Sequence, residues 1–239
     1  MNTAKEQKLQ ATLATLHKRF GSNAVQKGFA LPSKVTYSTG FPALDELIGG
    51  IPQGRITELI GLPTSGMTTI ALQIIAHAQK HRRGVVYFDL SAALDPEYAA
   101  YCGVNLADLM VIRDDLSTCA DILYDSILTD IPGLVVFNTV PGLTAADEVT
   151  FAHTLQRLQA ALPQKHCALV VLTFASPAPS RVSAYITLRL RSQFERWLGS
   201  ELETYGYQAV VTVLKAKSGI EGRKVAIQIT FDDKTEADP

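Results

Sequence analysis

The chain has 239 residues, 47% of them hydrophobic and 19% charged, with a formal net charge of −1. That composition fits a globular protein with one sizeable core; no apolar run approaches the ~20 residues of a membrane span, and Met1 to Gln10 lacks the apolar stretch of a secretory signal. Cys102, Cys119 and Cys167 are odd in number and widely spaced, with no disulfide or metal-site spacing, and predict small core residues in a reducing cytoplasm.

In chain order, Leu9, Leu13, Leu16 and Phe20 fall at i, i+4, i+7 and i+11, one stripe of a helix over about residues 4–20. Gly21-Ser22 ends it. An arm, Asn23–Ala30 with Val25 inside it, and a Pro-containing linker, Leu31–Thr39, follow. Such a helix and arm either pack on their own body or reach a neighbour. Residues 1–34 carry six basic side chains against Glu6 alone.

From residue 35 the pattern alternates strand and helix. Strands are predicted at Arg55–Ile60, Gly84–Leu90, Leu109–Arg113, Leu134–Thr139 and Ala168–Phe174. Helices are predicted between them at Thr68–Lys80, Pro96–Cys102, Ala120–Leu128 and Ala145–Ala161. Continuous apolar strands joined by helices predict an α/β fold, a mainly parallel sheet with helices on both faces. Beyond Ser176 the strands alternate instead, at Tyr185–Leu190, Ala209–Lys215 and Val225–Phe231, and predict an antiparallel extension. Gln193–Tyr207, with Phe194, Trp197, Leu198, Tyr205 and Tyr207 among charges, reads equally as a long hairpin or a short helix. Residues 35–180 hold seven basic and fourteen acidic side chains, residues 181–224 eight and four, and 232–239 form an acidic tail. Basic ends on an acidic body point to nucleic acid or to the acidic face of another subunit, unless the charges are simply solvated.

Residues 61–69, Gly-Leu-Pro-Thr-Ser-Gly-Met-Thr-Thr, follow a strand and open a helix. This is the phosphate-binding loop G-x-x-x-x-G-K-[ST] with Met67 in place of its lysine. Gly61, Thr64, Ser65, Gly66, Met67, Thr68 and Thr69 are the candidate nucleotide residues. Thr68 supplies the Mg²⁺-site hydroxyl, and the backbone N–H groups at the helix start face the phosphates.

Around the loop, Ser38-Thr39-Gly40, Leu44-Asp45 and Gly49-Gly50-Ile51-Pro52-Gln53-Gly54-Arg55-Ile56-Thr57-Glu58 resemble the start of the RecA recombinase core. Ala71-Leu72-Gln73, Ala93-Leu94-Asp95-Pro96-Glu97-Tyr98-Ala99 and Gly103-Val104 continue the likeness in order. The helix ending His17-Lys18-Arg19-Phe20-Gly21 is similar to the family's polymerisation helix. The resemblance covers residues 4–140 by motif and 165–231 by pattern. It implies a RecA-like P-loop core over residues 35–231, and a helix and oligomerisation arm over residues 1–34 that meets a second copy or RecA through Leu9, Leu13, Leu16, Phe20 and Val25. It also implies that Asp95 and Tyr98 frame the adenine of ATP or ADP, although Asp95-Pro96 is equally a good helix start.

The family's chemistry is missing at several places at once. Where the resemblance puts a catalytic glutamate stands Ser91, which cannot act as a general base. The metal-assisting aspartate of the Walker B strand is replaced by Asn138, and the sensor pair by Phe174 and Ala175. With Met67, these losses predict a pseudo-ATPase. The segments where the family carries its DNA-binding loops, Val140–Thr144 and Ala175–Arg181, are short. Arg181, Arg189 and Arg191 remain candidates for single-stranded DNA phosphates, with Phe194, Trp197 or Tyr205 free to stack on bases or to pack as core.

Three readings stay open. The first is a cytoplasmic repair and recombination accessory of the SOS type, assembling with itself, RecA or a translesion polymerase on single-stranded DNA, similar to ImuA-type mutasome adaptors. The second is an active ATPase completed in trans by Lys215 or Lys217. The third is a scaffold that needs neither nucleotide nor Mg²⁺.

Overall fold

The computed structural model describes residues 3–20, 35–174, 181–200 and 203–231. The chain divides into two compact units at Lys34 and Val35. In the first, Thr3–Phe20 forms helix α1, as the stripe predicts, with His17, Lys18 and Arg19 in its last turn. Cations there complement the negative end of the helix dipole. Val25 and the rest of the arm lie outside the described residues.

The second unit opens with a small antiparallel ribbon, β1 (Thr36–Tyr37) against β2 (Ile51–Pro52), enclosing helix α2 (Pro42–Ile48). Asp45 closes this entry by accepting from the Ser38 hydroxyl at 2.6 Å and the Thr39 N–H at 2.8 Å. The main sheet follows: β3 (Ile56–Gly61), α3 (Met67–Gln79), β4 (Gly84–Asp89), α4 (Pro96–Tyr101), β5 (Leu109–Ile112), α5 (Leu116–Leu128), β6 (Pro132–Asn138), α6 (Ala145–Ala161) and β7 (Ala168–Phe174). The long strands β8 (Leu188–Gly199) and β9 (Thr204–Lys215) and the shorter β10 (Lys224–Thr230) complete it.

The eight strands lie in the order β10-β9-β8-β3-β7-β6-β4-β5. All pairs from β8 to β5 are parallel, and β8/β9 and β9/β10 are antiparallel. Each face of the parallel part has its own core. Ile70, Leu72 and Ile74 of α3 pack with Leu59, Leu134 and Val136 on one side. Leu123 of α5 and Phe151, Leu155 and Leu158 of α6 pack with Ile56, Val135 and Phe137 on the other. Strands buried on both faces explain the unbroken apolar runs in the sequence. Cys102, Cys119 and Cys167 are all buried and unpaired, as expected of small core residues.

The structure amends the reading beyond residue 180 in two places. Arg181–Tyr185 is a 3₁₀ turn packed against α6 rather than the start of a strand. β8 begins at Leu188 and runs parallel to β3, so the antiparallel part starts only at the β8/β9 pair. Gln193–Tyr207 is a hairpin. Its register shifts between Phe194 and Arg196, and one extra residue in a strand reverses the alternation of faces. Phe194 and Trp197, three apart, therefore meet with ring centroids 5.0 Å apart. That spacing gives a bulged strand the look of a helix.

Candidate nucleotide-binding site

β3 is buried along its whole length and delivers the chain to the loop at Gly61. A Cβ on Gly61 would press on the Ser65 side chain and lie 3.1 Å from the Ser192 carbonyl, so the tight return of the loop onto the strand favours glycine. Gly66 caps α3 with φ 83°, in the left-handed region, and its carbonyl accepts from the Ile70 N–H at 3.0 Å. No side chain caps the helix. The amides of Met67, Thr68 and Thr69 thus have no intrahelical acceptor and stand at the positive end of the dipole. Such a start accepts an anion without further help.

The loop opens on a cleft of about 360 Å³, the small end of the range for organic ligands. Thr64 to Thr69 and Tyr98 line it, as do the family-departing Ser91, Asn138 and Phe174. Gly61 and Asp95 do not; Ala175 lies outside the described residues. Its remaining wall is aromatic and was not anticipated from the sequence: Trp197, Tyr207 and Phe231, brought from β8, β9 and the end of β10. Among the described residues, none that lines the cleft carries a charge.

Three of the departures from the family pattern, Met67, Ser91 and Asn138, have a local consequence. Met67 is 4% exposed and joins the core that packs around α3. Asn138 donates from Nδ2 to the Ser91 hydroxyl at 3.3 Å, so two of the altered positions satisfy each other. The carboxylate at the end of β4, Asp89, is 1% exposed. It accepts from the N–H groups of Ala93 and Leu94 and from Arg113 Nε, all at 3.1 Å, and so fastens the following turn. Thr68 is exposed at the helix start, and among the described residues no carboxylate lines the cleft. A protein-held Mg²⁺ takes one or two carboxylates besides phosphate oxygens, and the described lining supplies none.

The adenine-side pair separates. Asp95 caps α4, accepting from the N–H groups of Glu97 at 2.9 Å and Tyr98 at 3.2 Å. The Tyr98 hydroxyl bonds Thr69 Oγ1 at 2.7 Å, and burial pushes its phenol up to about 12 against that hydrogen bond. Burial likewise raises the Tyr207 phenol, with Thr69 opposing. Tyr207 and Ile229 close over Gly66, where an added Cβ would lie 2.6 Å from Ile229 Cδ1 and 3.2 Å from the Tyr207 hydroxyl. Tyr207 also meets Phe231 at 5.8 Å and Trp197 at 6.0 Å between centroids. Tyr101 ties α4 to this wall by donating to the Thr230 carbonyl at 3.1 Å.

The basic candidates fall into different settings. Arg189 pairs with Glu58, its register partner on β3, whose side chain is wholly buried and also accepts from Thr173 Oγ1 at 2.7 Å. It is a structural ion pair, beside a cavity of about 110 Å³ bordered by Glu148 and Thr139. Arg181 and Arg191 are exposed. Thr212 is the register partner of both Arg191 and Lys224, so these two basic residues share one row on the solvent face. Lys215 donates from Nζ to the Ser183 carbonyl at 3.0 Å, whereas Lys217 is exposed. Neither lysine lines the chain's own cleft.

A family model described as the RecA N-terminal domain matches residues 7–172. Protein RecA of Aquifex aeolicus (strain VF5) is 37% identical over 150 residues, 61% of this chain and 44% of the relative. Protein RecA of Chloroflexus aurantiacus (strain ATCC 29364 / DSM 637 / Y-400-fl) is 34% identical over 214 residues, 86% of this chain and 60% of the relative. Protein RecA of Anaplasma marginale (strain Florida) is 27% identical over 265 residues, 98% of this chain and 74% of the relative. The chain thus spans about half of the first of these relatives and three fifths of the second.

Proposed function

This chain belongs to the RecA family, and from that premise we propose that it is a DNA repair and recombination accessory protein without ATPase turnover. It works by assembling through its N-terminal helix and arm, with itself, RecA or a translesion polymerase, on single-stranded DNA. The observation that carries this reading is the uncharged lining of the cleft among the described residues. γ-Phosphate transfer builds up negative charge that a cation must stabilise, and losing one such stabiliser costs about 10²–10³ in rate. Losing the base costs about 10²-fold or more besides. Here Met67 lies in the core, Ser91 cannot take a proton, and Asn138 spends its amide on Ser91.

The row of Arg191 and Lys224 supports contact with a nucleic-acid backbone. No helix among the described residues is long and apolar enough to cross a membrane. ATPase assays with and without single-stranded DNA test the proposal. No turnover is expected from the natural chain, nor from Met67→Lys alone, because base and metal carboxylate stay missing; DNA-stimulated hydrolysis by the natural chain would sink it. Exposed Lys217 supports the second reading, an ATPase completed in trans, and the same assay on a Lys217→Ala variant decides it. Light scattering with RecA and single-stranded DNA separates the accessory role from a scaffold that engages neither.

A further inference from the structure

We infer that the acidic segment Asp232–Pro239 of one copy docks on the basic run Lys80–Arg83 of a second copy and joins copies head to tail. This rests on the reading that the chain works by assembling, and gives the assembly a contact apart from the N-terminal arm. Lys80, His81, Arg82 and Arg83 connect α3 to β4, and all four are exposed. The N–H groups of His81 and Arg82 donate to the carbonyls of Ala78 and Gln79, both at 3.0 Å, and Arg82 takes φ 55° in this turn. His81 is anchored, its ring centroid 5.6 Å from that of Tyr37. Lys80, Arg82 and Arg83 make no side-chain hydrogen bond or ion pair among the described residues. Arg82 and Arg83 border an open cavity of about 320 Å³ together with Gln79, Gly84 and Asp108. Its floor is fixed: Gln79 exchanges two hydrogen bonds of 2.9 Å with the Asn105 backbone, and Asn105 Nδ2 donates to Asp108 at 2.6 Å.

The charge pattern of this surface selects its occupant. It offers Lys80, Arg82 and Arg83 beside the single carboxylate of Asp108. Residues 232–239 offer the reverse, with Asp232, Asp233, Glu236 and Asp238 around the single cation Lys234. Guanidinium groups hold carboxylates in a two-pronged geometry, and Lys234 answers Asp108. A nucleic-acid backbone, all negative, would instead set a phosphate against Asp108, a like-charge pairing that costs affinity. The partner must be another copy. β10 and β4 run in the same sense, six places apart in the sheet order, which is about 29 Å at the usual strand spacing. Phe231 follows the end of β10 and the basic run precedes the start of β4, so they occupy opposite corners. Asp232 and Asp233 stay within about 7 Å of Phe231 even on a stretched chain, and cannot reach the run of their own copy. Two different surfaces meet in such a contact, which is heterologous and can repeat.

Sedimentation velocity of the full chain over a range of concentration and salt tests this. One variant joins Arg82→Glu with Arg83→Glu; the other joins Asp232→Lys, Asp233→Lys, Glu236→Lys and Asp238→Lys. Each is expected to weaken self-association by about ten-fold, with circular dichroism confirming the fold. Mixing the two variants, or placing all six changes in one chain, should restore association, and added salt should weaken it throughout. A chain that stays monomeric overturns the inference while leaving assembly with RecA to carry the proposed function. Loss of association without rescue in the mixture overturns it as well. If Arg82→Glu with Arg83→Glu lowers single-stranded DNA affinity and leaves self-association unmoved, the run serves nucleic acid and the inference falls. ATP turnover would instead sink the proposed function and leave this contact standing.

Discussion

A single register position decides what Arg189 can do. Its guanidinium is committed to Glu58, a carboxylate with no exposure of its own, and removing one partner of a buried pair strands the other charge. Arg189→Ala is therefore expected to lose about 3–5 kcal/mol in urea unfolding. Arg191→Ala with Lys224→Ala, on the solvent face, should stay within about 1 kcal/mol of the natural chain. The double variant should instead weaken single-strand binding and flatten its salt dependence, by about one in log–log slope for each phosphate no longer neutralised. Tyr98 gives a second residue-scale expectation. Its folded pKa is raised from 10.0 to about 12, so the native state holds the proton more tightly than the unfolded chain. The associated stability is fully present below pH 10 and is lost as the pH rises toward 12, on the order of 2 kcal/mol. Tyr98→Phe should flatten the pH dependence of the urea midpoint in that window. The altered position Met67 was legible from the phosphate-loop motif, and Ser91 and Asn138 from the resemblance to the RecA core. The mutual hydrogen bond of Asn138 and Ser91 was not, because 47 residues separate them.

Among the elements, the helices announce themselves most clearly. α1 follows its leucine stripe, and α6 opens with a capping box in which Thr144 and Asp147 exchange hydrogen bonds with each other's backbone. α4 begins where Asp95 accepts two backbone N–H groups, so the residue read as an adenine contact is also the start signal of its helix. The β8/β9 hairpin stayed ambiguous for a physical reason: its bulge moves Phe194 and Trp197 to one side and erases the period of two that marks a strand. The unit of residues 1–34, to which the N-terminal helix belongs, carries the assembly prediction. A chain of residues 35–239 should unfold in one transition within a few degrees of the full-length midpoint, yet scatter light as a smaller species with RecA and DNA. Retention of the full-length assembly would remove the arm from the proposal.

For the molecule as a whole, the sheet order is what turns separate motifs into a site. β8 leaves the β7 end of the chain and inserts beside β3, and β9 and β10 extend outward from it. Their ends thereby come over the phosphate loop, and an ordinary antiparallel extension becomes the aromatic wall of the cleft. The sequence by itself determined the alternating α/β core and the phosphate loop with its missing lysine, whereas Ser91 and Asn138 stood out only against the RecA pattern that the chain resembles. The core and the loop are local, carried by apolar runs, by glycines that only certain backbone angles require, and by spacing along one strand–loop–helix unit. Only the tertiary structure decided that Arg189 belongs to Glu58, and that Trp197, Tyr207 and Phe231 line the same cleft as Tyr98. Those meetings depend on which strands become neighbours and in what register, and a one-residue shift along any of them would send the same side chains to the other face of the sheet.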